Sequence, residues 1–410
     1  MITPKSIVLV VLLVSAAALS GTAQTLEVPA PTGTSPIGTT RWVISDDSRQ
    51  ESFAPDQKRQ VEVVAWYPSA PTKADTRAPY LRETLAEVES FAQLMRQPGV
   101  FNGLANVVTH AALDAPPAAR PARFPVIVFS HGYTGLPSSH TALFEDLASH
   151  GYAVLSIVHP YEATASMNGD GKVITFLNEK GAMHAGIMDV LNEWGPEDGT
   201  MAQVTAAADD AEREKLMRGY FTALKNTDLV VRRWVLDTKL ALDHAPKSGA
   251  PGRLAARLDL SRIGVAGHSM GGVAGAQFCV EDRRCKAGLN LDGIPQYGTM
   301  IDTAMPAPFL MVYSGRPGRA GASDLIYRRS ALKYYRVDVS GTLHLDFTDM
   351  NWWPGPLRRR GAYGAIEPRR AAYVTRLIVR EYFDQELRGR QSPLLAGQTP
   401  MPDVTVKKVK

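Results

Sequence analysis

Cysteine is scarce in this chain: two of its 410 residues, Cys279 and Cys285, are cysteines. Two thiols exclude a disulfide-scaffold fold, and no cluster of His, Asp or Glu at ligand spacing stands beside them. We therefore expect no metal site and no required cofactor. The two cysteines are close in sequence, so export to an oxidising compartment would allow a local disulfide between them.

A large excess of charge of one sign is also absent. The 45 Lys and Arg residues nearly balance 41 Asp and Glu residues, which leaves a formal charge of +4. This small excess argues against a nucleic-acid partner. The basic runs at 358–360 and 407–410 suit a solvated surface, with contact to anionic membranes as the alternative reading.

Apolar runs long enough to cross a bilayer are missing. The longest run, residues 7–19, follows Lys5 and precedes the small residues Gly21, Thr22 and Ala23. This is the layout of a secretory signal peptide cleaved after Ala23. The sequence thus predicts a signal peptide at 1–23 and an exported protein, periplasmic or extracellular, without an integral membrane span.

Residues 262–272, RIGVAGHSMGG, contain the pattern Gly-x-Ser-x-Gly around Ser269. The apolar residues before the pattern predict a buried strand, and the small residues after it predict a helix. A strand that turns sharply into a helix through this pattern is typical of the nucleophile elbow of an α/β-hydrolase. The turn exposes the serine hydroxyl at a helix N-terminus, where developing negative charge is favoured. The alternative is a tight turn without chemistry.

Alternating strands and helices predict an α/β-hydrolase fold, with a mostly parallel central sheet and helices on both faces. The continuous apolar run FPVIVF at 124–129 suits a strand buried on both faces. The other predicted strands lie at 40–45, 61–67, 152–158, 286–291, 308–313 and 334–339, the last of these closing the sheet. The predicted helices lie at 84–96, 139–150, 228–244 and 369–385.

The alternation of strands and helices is interrupted at 162–227, which is acidic and lacks a clear strand. A long insertion between core elements is typical of a cap over the active site, although a surface decoration would have the same pattern. We therefore divide the mature chain into a first core segment at 24–161, a cap at 162–227, a second core segment at 228–390 and a C-terminal tail at 391–410.

A serine nucleophile needs a base, and the base needs an acid that holds its tautomer. In this fold the chain order is serine, acid, histidine. After Ser269 there is one histidine, His344, just past the predicted strand at 334–339, so it is the predicted base. Asp292 is the favoured acid because it follows a strand at the edge where ligands collect, and Asp324, past the next strand, is the runner-up.

The oxyanion hole is predicted from backbone amides rather than side chains. One is the amide after the nucleophile, that of Met270. The second should come from the His-Gly turn after the strand at 124–129, and Tyr133 is the expected donor.

With these residues placed, the chain resembles the platelet-activating-factor acetylhydrolase family, of the lipoprotein-associated phospholipase A2 type. The matching strings are AWYPS at 65–69, FPVIVFSHG at 124–132, GHSMGG at 267–272, LNLDG at 289–293 and GTLHLDF at 341–347. That family takes its acid from the equivalent Leu-Asp-Gly, so the resemblance implies Asp292, and it implies the amides of Tyr133 and Met270. Bacterial dienelactone-hydrolase-like esterases and polyester hydrolases have similar motifs.

The resemblance implies hydrolysis of a small-molecule carboxylic ester through an acyl-enzyme, on short or modest acyl groups. The motifs alone also allow an amidase, a peptidase or a polyester hydrolase with the same triad, because the pocket selects the leaving group. A binding protein that kept the fold without activity is the alternative from another class.

Overall fold

A computed structural model describes residues 26–73, 76–82, 85–245, 252–294, 298–353 and 361–409. The predicted signal peptide at 1–23 and the basic run at 358–360 lie outside these residues. The described chain forms a large sheet with helices on both faces, as the sequence predicts for an α/β-hydrolase.

Thirteen strands are described. They are β1 (Ile37–Gln50), β2 (Lys58–Pro68), β3 (Arg77–Pro79), β4 (Val108–Leu113), β5 (Phe124–Ser130), β6 (Ala153–Val158), β7 (Ala165–Met167), β8 (Val173–Thr175), β9 (Leu258–His268), β10 (Cys285–Leu291), β11 (Phe309–Ser314), β12 (Tyr334–Val339) and β13 (Val404–Lys408).

Ten α-helices accompany them in the described residues. They are α1 (Ala86–Leu94), α2 (Thr141–Ser149), α3 (Ala185–Glu193), α4 (Glu197–Ala206), α5 (Asp210–Ala223), α6 (Lys225–His244), α7 (Gly252–Ala255), α8 (Met270–Glu281), α9 (Asp324–Ser330) and α10 (Pro368–Arg388). Short 3₁₀ segments include His344–Phe347 and Asp349–Trp352.

The main sheet has eleven strands in the order β13-β12-β11-β10-β9-β5-β6-β2-β1-β4-β3. The six strands from β12 to β6 are mutually parallel, and antiparallel strands flank them. Because parallel strands end at the same edge, the segments after β5, β9, β10 and β12 all emerge at one edge of the sheet. That edge carries every residue predicted for the site.

The central strands are buried on both faces, and alternate residues serve different faces. In β5, Val126 and Val128 join the hydrophobic cluster that includes α6 and α8, while Ile127 and Phe129 join the one that includes α2 and α10. This two-residue alternation explains why the sequence of β5 is apolar throughout. Each such side chain contributes about 1.5–3 kcal/mol of burial free energy.

The prediction that the strand at 334–339 closes the sheet is wrong. Within the segment predicted as a tail at 391–410, strand β13 pairs antiparallel with β12 over five residues. Before β5, where strands were predicted at 40–45 and 61–67, the structure has two further strands, β3 and β4. Strand β1 also extends well beyond the predicted 40–45. These edge strands are short or partly exposed, so they lack the apolar runs that identify buried strands.

The predicted cap region contains a small hairpin and three helices. Strands β7 and β8 pair with each other, and α3, α4 and α5 follow. Met201, Val204 and Met217 are buried in the same cluster as α6 and α8. Ion pairs also join the cap to the core, among them Arg319 with Glu197 and Arg329 with Glu214. The insertion is therefore packed onto the core by apolar as well as charged contacts.

Cys279 near the end of α8 and Cys285 at the start of β10 are bonded, with their sulfur atoms 1.98 Å apart. A loop of this length should add about 2 kcal/mol to the free energy of unfolding, because the bond restricts the unfolded chain. We expect urea denaturation with reductant to give a correspondingly lower free energy than without it.

The control for that comparison is the double variant Cys279→Ala, Cys285→Ala. Its unfolding should not respond to reductant. Unchanged stability of the unsubstituted chain, after both thiols have been shown to be free, would contradict the prediction.

No helix among the described residues is both long and apolar enough to cross a membrane. The same residues contain no group of three or more His, Cys, Asp or Glu side chains that could hold a metal ion.

Candidate active site

Ser269 lies on the sharp turn between β9 and α8. Its backbone has φ 55° and ψ −125°, a strained conformation that an L-residue adopts only where the surrounding structure enforces it. It is the N-cap residue of α8, so its hydroxyl stands at the positive end of the helix dipole. This is the geometry expected of a nucleophile elbow.

The glycines around Ser269 are required by the close approach of backbone segments. A Cβ atom on Gly267 would overlap the backbone of Gly271, and one on Gly271 would overlap the carbonyl oxygen of Ser130 at the end of β5. A Cβ on Gly272 would collide with the Asn290 side chain. The pattern Gly-x-Ser-x-Gly-Gly thus follows from the packing of three adjacent strands against the first turn of α8.

His344 and Asp292 meet at the same edge of the sheet. His344 Nδ1 lies 2.8 Å from Asp292 Oδ2, and the Asp292 carboxylate is almost fully buried. A main-chain hydrogen bond and a ring contact place Ser269 close to Asp292 and His344. Its N–H donates to the carbonyl of Leu291 at 2.9 Å, and the ring of the preceding His268 lies 4.5 Å from that of His344. The structure therefore pairs His344 with Asp292 and places Ser269 beside this pair.

Asp324, the runner-up acid, is engaged elsewhere. It accepts a hydrogen bond from Tyr334 at 2.6 Å and pairs with Arg336 at 2.8 Å. Tyr313 donates to the same carboxylate at 3.2 Å. Asp324 thus ties α9 to β11 and β12, and of the two candidate acids only Asp292 touches His344 in the described structure.

Two residues that the sequence analysis did not single out hold the Asp292 turn. The Ser314 N–H donates to Asp292 Oδ1 at 2.7 Å, which leaves Oδ2 for His344. The Asn290 side chain accepts from the Gly293 N–H and donates to the Gly293 carbonyl, both at 2.8 Å. These bonds fix Asp292, whose φ of 57° is also unusual. An asparagine two residues before the acid in LNLDG was the available signal.

The turn after β5 lies against Ser269. A Cβ on Gly132 would stand 3.4 Å from Ser269 Cβ. The Gly135 N–H donates to the Gly132 carbonyl at 2.8 Å, and the Thr134 N–H donates to the Glu162 carbonyl at 2.8 Å. Both predicted oxyanion donors are beside the serine, and within the described part of the chain the amides of Tyr133 and Met270 have no hydrogen-bond acceptor.

His131 supports this turn as a neutral ring. Burial, reinforced by the nearby His159 imidazole, lowers the pKa of His131 to about 3. Its Nε2 accepts the main-chain N–H of His159 at 3.2 Å, so Nδ1 carries the proton and donates to the Gly132 carbonyl at 2.7 Å. The histidine of the His-Gly motif thus stabilises the turn rather than taking part in proton transfer.

A cluster of buried charged side chains lies next to the oxyanion turn. Arg59 forms two hydrogen bonds to Asp237, at 2.8 and 2.6 Å, and pairs with Glu51 at 2.7 Å. Burial opposes ionisation of Asp237, but the Arg59 guanidinium holds the pKa of that carboxyl well below its usual range. Trp234 donates to the Glu162 carboxylate at 2.8 Å. Glu162 lies 3.8 Å from Arg59, and its main-chain carbonyl accepts the Thr134 N–H, so Glu162 connects the cluster to the oxyanion turn.

Aromatic side chains connect the cap to this turn. The Tyr133 ring packs edge-on against Trp194, which follows α3 in the cap, with ring centres 5.4 Å apart, and it also contacts Trp234. Burial raises the pKa of Tyr133, so the phenol stays neutral. Trp353, by contrast, packs against Tyr80 in a separate hydrophobic cluster.

Comparison with known families and relatives agrees with the geometry. A family model described as platelet-activating factor acetylhydrolase, isoform II, matches residues 20–171, which include β5 and the oxyanion turn. Platelet-activating factor acetylhydrolase of Canis lupus familiaris is 25% identical over 248 residues, 57% of this chain and 50% of that protein. The Bos taurus protein is 23% identical over 237 residues, 56% of this chain and 49% of that protein. The chain spans about half the length of these curated relatives.

The comparison with solved structures covers more of the chain. A ferulic acid esterase from Streptomyces cinnamoneus superposes with a TM-score of 0.70 at 30% sequence identity. The match covers 94% of this chain and 100% of that one. A match over this share of the chain includes most of the predicted cap region as well as most of both predicted core segments.

Proposed function

Because the chain is an α/β-hydrolase similar to the platelet-activating factor acetylhydrolases, we propose that it is an exported serine hydrolase that cleaves carboxylic esters of short or modest acyl groups. The observation that carries the proposal is the hydrogen-bonded His344–Asp292 pair beside the elbow serine, Ser269. The N-terminal signal pattern and the Cys279–Cys285 bond support export, since disulfides persist in oxidising compartments.

In the first half of the reaction, Ser269 Oγ attacks the ester carbonyl carbon while its proton passes to His344 Nε2. Asp292 accepts the Nδ1 proton of His344 in a hydrogen bond and stabilises the imidazolium. The amides of Tyr133 and Met270 donate to the oxyanion of the tetrahedral intermediate. Collapse breaks the bond to the leaving oxygen, and His344 returns its proton to the departing alcohol.

In the second half, water attacks the acyl-enzyme. His344 takes one proton from the water, the new C–O bond forms, and the resulting oxyanion is held by the same two amides. Collapse then breaks the bond to Ser269 Oγ, which recovers its proton from His344. The products are the free acid and the unchanged enzyme, and the cycle uses no other reactant.

The proposed preference for short acyl groups has two supports. The curated relatives are named as acetylhydrolases. In addition, the cap residue Trp194 packs directly on Tyr133, so aromatic side chains stand close to the oxyanion turn. A second candidate, esters of an aromatic acid, is favoured by the match over the whole length of a ferulic acid esterase.

The test is a series of initial rates on p-nitrophenyl esters from acetyl to palmitoyl, with methyl ferulate and p-nitroacetanilide beside them. We expect kcat/KM to be highest at acetyl to butyryl and to fall steeply with chain length. A preference for methyl ferulate would support the second candidate. Turnover of the anilide with none of the esters would replace the proposal with an amidase, and no turnover at all would favour the non-catalytic reading.

A further inference from the structure

His268, the residue before the nucleophile, contacts the base rather than solvent. Its side chain is buried, its Nε2 lies 3.0 Å from the main-chain carbonyl oxygen of His344, and the two rings are 4.5 Å apart. The strand β9 therefore ends in a side chain that reaches across to the segment carrying the base, 76 residues later.

The hydrogen-bonding role of this ring is determined by its surroundings. Burial, together with the imidazoles of His344 and His140, holds the pKa of His268 well below its usual value, so the ring is neutral and has one N–H. A carbonyl oxygen only accepts hydrogen bonds. Nε2 must therefore carry the proton and donate a hydrogen bond to the His344 carbonyl, and Nδ1 is unprotonated.

The other edge of the ring faces the oxyanion turn. A Cβ on Gly132 would stand 3.2 Å from His268 Nδ1. The ring is thus enclosed between the turn that holds one proposed oxyanion donor and the backbone of the base, while its own backbone leads into Ser269. One residue therefore adjoins all three parts of the site.

The segment that carries the base needs such an anchor. His344 begins a short 3₁₀ segment rather than a long helix or a strand, and its side chain is 28% exposed. Asp346 holds the start of this segment by accepting the Leu343 N–H at 2.8 Å. The bond from His268 acts on the backbone of His344 itself.

We propose that His268 is a positioning residue, which fixes the backbone of His344 through its Nε2–H bond so that the imidazole reaches both Ser269 and Asp292. The inference rests on the proposed hydrolase chemistry and adds a residue that takes no part in proton transfer. Because misplacement of a reacting group by about 1 Å can cost about 100-fold in rate, losing this bond should lower kcat.

The test compares two substitutions of similar length that differ in the donor. His268→Gln keeps an N–H near the position of Nε2, whereas His268→Met keeps the volume and removes the donor. We expect His268→Met to lower kcat on p-nitrophenyl acetate by about 10- to 100-fold with KM little changed. His268→Gln should recover most of the loss.

A matched control is His140→Phe. His140 is also buried, and its ring lies 5.4 Å from that of His268, but among the described residues it makes no hydrogen bond or ring contact with His344, and its Nε2 has no hydrogen-bond partner. This variant should keep the kcat of the unsubstituted enzyme. Thermal melting of all variants shows which remain folded, and His268→Phe serves as a second donorless variant if His268→Met does not fold.

Equal kcat values for folded His268→Gln and a folded donorless variant would overturn the proposal, because the hydrogen-bond donor would then have no effect on kcat. A rise in KM without a fall in kcat would also contradict it and would indicate a substrate contact. Absence of esterase activity in the unsubstituted enzyme would instead refute the proposed function, so the two failures are distinguishable.

Discussion

Replacement of Ser269 by alanine should lower kcat for ester hydrolysis by about 10⁴- to 10⁶-fold, since the acyl-enzyme can no longer form. The fold should persist, because alanine removes one oxygen atom from a side chain whose backbone conformation is imposed by the packing of β9 and α8. The measurement is the steady-state rate on p-nitrophenyl acetate, with thermal melting to confirm that the variant is folded.

The control for this change is Ser261→Ala on the same strand. Ser261 lies at the opposite end of β9, where its hydroxyl bonds to Asp259 at 2.5 Å, and it should be catalytically silent. If Ser269→Ala kept more than about 1% of the activity, hydrolysis would have to proceed without the serine nucleophile, and the proposed mechanism would be wrong.

Asp292→Asn is expected to lower kcat by about 10⁴-fold while leaving the shape of the site intact. An amide in place of the carboxylate cannot stabilise the imidazolium, and its NH₂ group can hold His344 in the wrong tautomer. The Ser314 N–H, which donates to Asp292 Oδ1 at 2.7 Å, can still bond to the amide oxygen, so the turn should survive.

Asp324→Asn makes the same chemical change at the runner-up acid and is the matched comparison. There the carboxylate accepts from Tyr334 and pairs with Arg336, so weakening these partly buried hydrogen bonds should cost about 1 kcal/mol of stability. It should leave kcat close to that of the unsubstituted enzyme. If Asp324→Asn were the damaging change and Asp292→Asn were not, the assignment of the acid would be wrong.

The buried core of the fold could be predicted from sequence because its signals are local. The apolar run of β5 and the Gly-x-Ser-x-Gly turn after β9 are determined by steric and hydrophobic requirements within a few residues. The long apolar-striped helices α6 and α10 were predicted for the same reason. Helix α6 begins three residues before the predicted start and ends at the predicted residue, and α10 extends one residue before and three residues past its predicted bounds.

The edge of the sheet could not be predicted in the same way. Strand β13 is half exposed and carries Lys407 and Lys408, so its sequence has no buried pattern, and its assignment depends on pairing with β12 about 70 residues earlier. The basic run at the C-terminus therefore includes a strand. Such pairing is determined by long-range register rather than by local composition.

The candidate site, too, was predictable from the sequence only in part. Chain order alone was sufficient to single out His344, but the contacts that hold it come from residues distant in sequence. His268 bonds to the main-chain carbonyl of His344, and the main-chain N–H of Ser314 bonds to Asp292, which in turn bonds to His344. Such main-chain contacts leave little trace in sequence. The acid was chosen from strand position and family resemblance, and its hydrogen bond to His344 is visible only in three dimensions.

The central proposal is that ester hydrolysis proceeds through a covalent intermediate on Ser269. The direct measurement is mass spectrometry of the protein after inactivation by diethyl p-nitrophenyl phosphate, followed by reduction and trypsin digestion. Cleavage after Arg262 and Arg283 releases residues 263–283, in which Ser269 is the sole serine. We predict one diethylphosphoryl group on that peptide, gained in proportion to the activity lost. Full inactivation with the group on another peptide, or retained activity on a fully labelled Ser269, would contradict the account.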